Sequence, residues 1–242
     1  MGAGAFAGVV GTAGGIASLI SYPALLAVGI GPLPANVTNA VALVASGVGS
    51  TLGSRLELHD QRARLRRWAA LCVGGGTAGA VLLLVTPRGV FDWIVPFLVA
   101  LASLLLLAQP RLTTWHQARP RRGTEPIVLA AIFGISLYSG YFGAGAGILV
   151  LAVLLVLVDQ NLARSNALKN TLLMIADLIP AVVFALAGPV VWTAALPLAV
   201  GAFAGGTVGP AITRRAPKRL LRIAIALCGL ALAGWLLNSA AR

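Results

Sequence analysis

The chain has 242 residues, of which 59% are apolar and only 10% are charged, and its mean hydropathy is +0.94. A soluble domain of this length would carry about 25% charged residues, so the composition excludes an ordinary soluble protein. The net charge is +12, but the basic residues form short clusters between apolar segments, which is typical of loops beside a membrane and not of a nucleic-acid-binding surface. Three uncharged stretches, at 1–54, 126–158 and 178–213, each exceed the roughly 20 residues that cross a bilayer.

Eight apolar segments follow one another along the chain, separated by prolines, glycines or basic residues. Because a backbone in lipid must satisfy its own hydrogen bonds, and because no alternating strand pattern appears, each segment is predicted to be a helix. Pro32–Pro34 and the basic stretch 55–67 are two of the predicted breaks. The fold class is therefore an all-α polytopic membrane protein with four segments per half. The segments are 2–31, 36–54, 67–86, 90–109, 126–158, 166–187, 190–212 and 218–238.

The two halves repeat each other, with an offset that drifts only from 132 to 130 residues. Four landmarks recur in the same order, namely Gly8–Ile16 as Gly140–Ile148, Asn39 as Asn170, the Gly-Gly-Thr-x-Gly motif of 75–79 as 205–209, and Pro87 as Pro217. This order and spacing predict an internal duplication, as in many secondary transporters. The predicted boundaries are an N-terminal membrane repeat at 1–115, a basic cytoplasmic linker at 116–125 and a C-terminal membrane repeat at 126–242.

The first segment of each half, 2–31 and 126–158, is too long for a straight crossing. As straight helices they would measure about 45–50 Å against a hydrocarbon core of about 30 Å, and each contains a glycine cluster. If both turn at their glycines and leave on the side they entered, sixteen of the eighteen basic residues fall on one side. Those residues lie in the loops 55–67, 110–125, 159–169 and 214–222.

The positive-inside rule favours this arrangement, because eight full crossings would divide the basic residues ten against eight. It predicts six full spans plus two re-entrant or broken segments, arranged as an inverted repeat. Eight full spans are the alternative. The four basic loops are then cytoplasmic, and the protein is expected in a bacterial-type plasma membrane.

The glycine clusters of the two long segments predict a binding site. A break inside the membrane exposes backbone groups, so it must line a protein-walled cavity. The half-helices that begin near Ile16 and Ile148 would aim their partly positive N-termini at that cavity, which suits an anion. Close helix packing through small residues is the alternative reading. The residues predicted to bind the substrate are Thr12, Gly14, Gly15, Thr38, Asn39, Tyr141, Gly143, Gly145, Gly147, Lys169 and Asn170.

Four of the polar residues inside the apolar segments have more than one reading each. Asn39 and Asn170 offer donors and acceptors at equivalent positions, although helix capping or interhelical bonding would also explain them. Lys169 either neutralises an anion or snorkels to the cytoplasmic surface. Asp177, whose repeat partner is Ser46, is costly in a membrane. It is predicted to carry a coupling proton or to pair with Lys169, with a protonated, hydrogen-bonded side chain as the alternative.

No cofactor or metal is expected. The chain has no His/Cys/Glu cluster with metal-ligand spacing and no pairing of nucleophile and base, so an enzyme is not predicted either. Cys72 and Cys228 do not correspond under the repeat and are predicted to be buried, reduced thiols. The expected partners are the lipid bilayer and a small anion; nucleic acid is excluded, and a homo-oligomer is left open.

Several motifs resemble a known family. They are the glycine-rich first segment, Pro34–Asn39 after it, Arg164–Asn170 in the second half, and the closing Gly-Gly-Thr-x-Gly with its basic turn. Together they resemble the sulfite exporter TauE/SafE (TSUP) family over essentially the whole chain. The resemblance implies a permease for sulfur-containing anions such as sulfite, thiosulfate or organosulfonates. We therefore expect a secondary transporter that binds its anion near the membrane midplane, works by alternating access and is proton-coupled; an uncoupled anion channel is the alternative.

Overall fold

The chain is helical in a computed structural model that describes residues 1–58, 61–114, 125–158, 161–213 and 218–240, and these residues contain no strand. The predicted linker 116–125 lies outside them except for Glu125, and so do 159–160 and 214–217 of the predicted loops. The helices are α1 (Gly2–Gly14), α2 (Ser18–Ala27), α3 (Pro32–Gly53), α4 (Arg55–Leu58), α5 (Arg62–Val85), α6 (Arg88–Thr114), α7 (Glu125–Tyr141), α8 (Ala146–Leu157), α9 (Leu162–Ala187), α10 (Trp192–Thr213) and α11 (Lys218–Ala240).

Three helices begin four or five residues before their predicted starts. Pro32–Pro34, predicted as a break, forms the first turn of α3, where a missing N–H leaves no hydrogen bond unmade. The basic stretch 55–67, predicted as a loop, contains α4 and the first turns of α5. The helix α9 begins at Leu162 because the Asn161 side chain accepts two backbone N–H groups of its first turn.

Both overlong segments are broken at glycines. The first is divided into α1 and α2, and the fifth into α7 and α8. Gly15, Gly143 and Gly145 have φ angles of +69°, +75° and +79°, which only glycine adopts easily. Ala17 packs back against Gly11, so the chain turns sharply after α1. The predicted breaks are therefore present.

Four helices of the described chain are long and apolar enough to cross a membrane, by length and composition. They are Arg62–Val85, Arg88–Ala108, Ala163–Ala187 and Trp192–Gly209. Shorter apolar helices include α1, α2, α7 and α8. Large apolar side chains such as Phe97, Leu104 and Leu196 are exposed on the outside of the bundle, as lipid contact requires. The protein is a multi-pass helical membrane protein.

Helices of the first half pack against helices of the second half, and equivalent helices make equivalent pairs. The helix α1 packs on α10 as α7 packs on α5, and α3 packs on α10 as α9 packs on α5. The Gly-Gly-Thr-x-Gly motifs lie in these contacts: a Cβ on Gly79 would overlap the Leu137 carbonyl oxygen, and one on Gly205 would overlap that of Ala5. These glycines therefore allow the helices to approach backbone to backbone.

The corresponding helices α3 and α9 run antiparallel. Near the start of α3, Val37 lies beside Gly188, the residue that follows α9. Near the end of α3, the hydroxyl of Thr51 lies 3.3 Å from that of Thr171, which is close to the start of α9. The start of α3 therefore lies beside the end of α9, and the end of α3 lies beside the start of α9.

Candidate functional site

A cavity of about 90 Å³ lies where the two breaks meet. One water molecule takes about 30 Å³ of the liquid, and pockets for drug-sized ligands measure about 300–1,000 Å³. The size of the cavity therefore suits a small ion better than a drug-sized organic ligand.

Part of the cavity wall is supplied by matching positions of the two repeats. Four pairs of lining residues correspond under the offset, namely Gly11 with Gly143, Gly15 with Gly147, Leu43 with Met174, and Ser46 with Asp177. Three pairs are glycine or apolar on both sides. The fourth pair places the Asp177 carboxyl group opposite the Ser46 hydroxyl group, so these matched positions differ in polarity between the two halves.

The tips of the two breaks touch through Gly15 and Gly147. A Cβ built on Gly15 would lie 2.5 Å from the Gly147 Cα, and one built on Gly147 would overlap the Gly15 Cα. Ordinary carbon contacts are about 3.5–4.0 Å. Glycine is therefore required at both positions for the halves to come this close.

Helix ends of both polarities converge on the cavity. The starts of α2 and α8 reach it through Ser18 and Gly147, and the last turns of α1 and α7 reach it through Thr12 and Ser139. Neither α2 nor α8 has a side-chain cap on its first turn. Their N-terminal N–H groups carry partial positive charge, which favours an anion nearby.

Three donors from one face of α9 converge on a single carbonyl oxygen of α1. Asn166 Nδ2, Lys169 Nζ and Asn170 Nδ2 donate to Thr12 O at 3.0, 3.2 and 3.2 Å. Lys169 also donates to Asn166 Oδ1 at 2.8 Å. The spacing i, i+3, i+4 places the three side chains on one helix face. Thr12 is in the last turn of α1, where carbonyls lack partners within the helix and carry partial negative charge.

Lys169 ends inside the protein. Its side chain is 0% exposed, so the amine does not snorkel to a surface. Among the residues that the structure describes, no carboxylate bonds to it, and Asp177 Oδ1 accepts from the Ser139 hydroxyl at 2.7 Å. The pairing of Lys169 with Asp177 is therefore absent from the described contacts.

The predicted binding residues divide between the cavity wall and its surroundings. Those that line the cavity are Thr12, Gly15, Gly143, Gly147, Asn170 and the predicted proton carrier Asp177. Those that lie elsewhere are Gly14, Thr38, Asn39, Tyr141, Gly145 and Lys169. The role of each remains a prediction.

Three of the residues outside the wall connect neighbouring elements. Thr38 Oγ1 accepts the backbone N–H of Val191 at 2.9 Å, which joins α3 to the start of α10. Asn39 Oδ1 accepts from the Ser21 hydroxyl at 2.5 Å, which joins α3 to α2. The Tyr141 carbonyl, at the end of α7, accepts from Asn36 Nδ2 at 3.0 Å. These contacts hold the surroundings of the cavity together.

The two remaining residues lie at the breaks. Gly14 is the last residue of α1. Gly145 caps the start of α8 in the left-handed conformation, and a Cβ there would lie 3.3 Å from Ala102 of α6.

Asn166 was not predicted as a site residue, although it makes two of the bonds around Thr12. Its spacing of three and four residues from Lys169 and Asn170 is the signal that could have identified it. Cys72 is buried as predicted, whereas Cys228 is exposed on α11, so the prediction of two buried thiols is wrong for the second. A position within an apolar stretch does not reveal which way the side chain faces.

Comparisons with known proteins point to one family. The family model described as sulfite exporter TauE/SafE matches residues 1–236. The probable membrane transporter protein YfcA of Escherichia coli strain K12 is 27% identical over 220 residues, which cover 89% of this chain and 80% of the relative. The probable membrane transporter protein ORF9 of Sinorhizobium sp. is 25% identical over 228 residues, which cover 94% of this chain and 87% of the relative. A probable membrane transporter protein of Haemophilus influenzae is 26% identical over 213 residues, which cover 84% of this chain and 80% of the relative. No solved structure matches the chain.

Proposed function

This chain belongs to the sulfite exporter TauE/SafE family and is a membrane transporter, not an enzyme, and we propose that it is a secondary transporter for a small anion. The observation that carries the proposal is the cavity between the two breaks. The starts of α2 and α8, which lack side-chain caps, border it, and the buried amine of Lys169 lies behind its wall. Both features favour negative charge.

A sulfur-containing oxyanion is the substrate class that fits both the family and the cavity. Sulfite, thiosulfate and short organosulfonates are small enough to be candidates for a volume of about 90 Å³. Their oxygens accept several hydrogen bonds, and backbone N–H, amide and hydroxyl donors are present around the cavity. The substrate class therefore rests on the family together with the chemistry of the wall.

We further propose that the two repeats, 1–115 and 126–242, have inverted topology, with the basic loops cytoplasmic at the plasma membrane. The antiparallel course of α3 and α9 supports this, because corresponding helices reverse direction only when one repeat is inverted. The equivalent pairs of helices from the two halves support it too. Rocking of one half against the other would then expose the cavity to each side in turn.

The contact between Gly15 and Gly147 supports alternating access over an uncoupled channel. The two backbones touch between the breaks, so an ion passes there only if the tips separate. A channel requires a continuous open path, whereas a transporter requires a barrier that moves. The barrier between the tips favours the transporter.

For the coupling ion we propose a proton carried by Asp177. The carboxylate lines the same small cavity as the anion and accepts a hydrogen bond from Ser139. Two negative charges at such short range repel each other strongly in a medium of low dielectric constant. Anion and proton are therefore expected to bind together and to be carried in the same direction.

Flux into proteoliposomes tests the proposal. Radiolabelled sulfite, thiosulfate and methanesulfonate are offered to the purified protein with and without a pH gradient, and neutral dimethyl sulfone serves as the control solute. We expect saturable uptake of at least one anion, accumulation driven by an inward proton gradient, and no more uptake of the sulfone than in protein-free liposomes. The absence of flux for every anion would refute the transporter proposal, and flux that is linear in the gradient without accumulation would favour the channel.

The proton role has a matched pair of variants. Asp177→Asn should retain downhill anion exchange but lose accumulation driven by the pH gradient. Ser46→Ala, at the corresponding wall position, should keep both. Full gradient-driven accumulation by Asp177→Asn would show that the proton is carried elsewhere.

A further inference from the structure

The polar face of α9 has more hydrogen-bond donors than acceptors. An ammonium group has three N–H donors, and each asparagine amide has two. In the described part of the chain, the Asn166, Lys169 and Asn170 nitrogens donate to Thr12 O and Asn166 Oδ1. A carbonyl oxygen has two lone pairs, so three donors on one carbonyl cannot all make full bonds. The surplus donors would be better satisfied by an acceptor with several oxygens.

The charge of this face leads to the same conclusion. Lys169 is completely buried, and none of the described carboxylates bonds to it. A buried ammonium without a counter-charge is strongly unfavourable. The partly negative end of α1 compensates it only in part, because a helix end carries about half an elementary charge. An anion at this position would complete the compensation.

The polar face of α9 lies next to the proposed transport cavity. Thr12 and Asn170 both line the cavity, and both belong to the cluster around the Thr12 carbonyl. An anion in the cavity is therefore one side chain away from Lys169. Movement of the Thr12 carbonyl would open the donors directly to it.

We propose that Asn166, Lys169 and Asn170 form an oxyanion subsite for which the Thr12 carbonyl competes. A sulfite or sulfonate group displaces the carbonyl and accepts from the ammonium and the two amides. The displacement frees the end of α1 from α9. Because these helices belong to different halves, anion binding would thereby loosen a contact that opposes their relative motion. The inference rests on the proposed transport function and names the ligands of that site.

A contact of similar kind, made by an asparagine of the first half, serves as a control. Asn36 Nδ2 donates to the Tyr141 carbonyl at the end of α7, so it too joins a helix of one half to a break of the other. Here one amide meets one carbonyl, and no lysine is involved. Asn36→Leu should weaken the contact between the halves without removing an anion ligand.

The side-chain nitrogen of Lys169 can be observed almost alone, because the chain contains only two lysines, Lys169 and Lys218. Labelling lysine with nitrogen-15 at Nζ gives two NMR signals from the protein in lipid nanodiscs, and Lys218→Arg removes one of them. Sulfite and methanesulfonate are titrated while calorimetry measures their binding to the same sample. We expect the Lys169 signal to shift saturably, with the midpoint that calorimetry gives.

Variants give an independent measure of the same subsite. Asn166→Ala and Lys169→Met should each weaken anion binding by about tenfold or more, the usual effect of losing a hydrogen bond to a charged group. Asn36→Leu should change the anion affinity by less than about twofold. Lys169→Arg keeps the positive charge, so it should lower the anion affinity less than Lys169→Met does.

The outcomes separate the inference from the function on which it rests. Anion binding by the wild-type protein with an unmoved Lys169 signal would overturn the subsite and leave the transport proposal intact. Wild-type anion affinity in both Asn166→Ala and Lys169→Met would likewise overturn the subsite and leave the transport proposal intact. Failure of every anion to bind the wild-type protein would overturn both.

Discussion

A methyl group placed where the two breaks touch should force the halves apart. In Gly147→Ala the new Cβ would overlap the Gly15 Cα and lie 3.0 Å from the Gly15 carbonyl oxygen. Both obstacles are backbone, so relief requires movement of α1 or α8. Overpacking of this kind costs about 1–3 kcal/mol. At about 2–4 °C per kcal/mol for a chain of this size, the melting temperature should fall by about 2–12 °C.

Two other glycines separate this steric effect from ordinary effects of the substitution. A Cβ on Gly134, in the exposed part of α7, meets nothing within 4 Å, so Gly134→Ala should be neutral or stabilise slightly. Gly29 has φ +85° with open space around it. Gly29→Ala therefore measures the cost of the left-handed conformation alone, about 1–2 kcal/mol, without a change in the cavity.

The thiols provide the melting assay. In a Cys228→Ser background the exposed thiol is gone, and a thiol-reactive fluorophore reports the heating-induced exposure of buried Cys72. Gly147→Ala should lower both the melting temperature and anion flux. Gly29→Ala should lower only the melting temperature, and Gly134→Ala neither. Wild-type melting and wild-type flux in Gly147→Ala would refute the claim that the two tips are in contact.

Three further substitutions are expected to differ in cost, and the same melting assay ranks them. Asn36→Leu leaves the Tyr141 carbonyl without its donor and should cost about 1–3 kcal/mol. Thr38→Val keeps the shape of the side chain but leaves the Val191 N–H without its acceptor, for a similar cost. Arg67→Ala removes an exposed ion pair between α5 and α7 and should cost less than about 1 kcal/mol. A larger loss for Arg67→Ala than for either buried substitution would contradict this ranking.

The breaks in the first and fifth segments could be predicted because two independent features coincide there. Each segment is longer than a bilayer crossing requires, and each contains glycines where a straight helix is least stable. The structure places positive φ angles at Gly15, Gly143 and Gly145, within those clusters. Length and composition alone were enough for this part of the fold.

The cavity wall could be predicted only in part, because it depends on how each helix is rotated about its axis. Asn39 and Asn170 are equivalent in sequence, yet Asn170 lines the cavity while Asn39 is bonded to Ser21 elsewhere. The burial of Lys169 depends on the end of α1, 157 residues away in the chain, lying against α9. Contacts of such separation are set by tertiary packing and leave no local pattern in the sequence.

Anomalous diffraction from the selenium analogue of the transported oxyanion tests the central claim most directly. The analogue is chosen after flux measurements identify a transported anion, and the protein is crystallised with it. The account predicts a selenium peak in the cavity between the Gly15–Gly147 contact and Asn170, with Lys169 or the amide of Asn166 within hydrogen-bonding distance of its oxygens. A peak elsewhere in the protein, or saturable flux with no peak in this cavity, would contradict it.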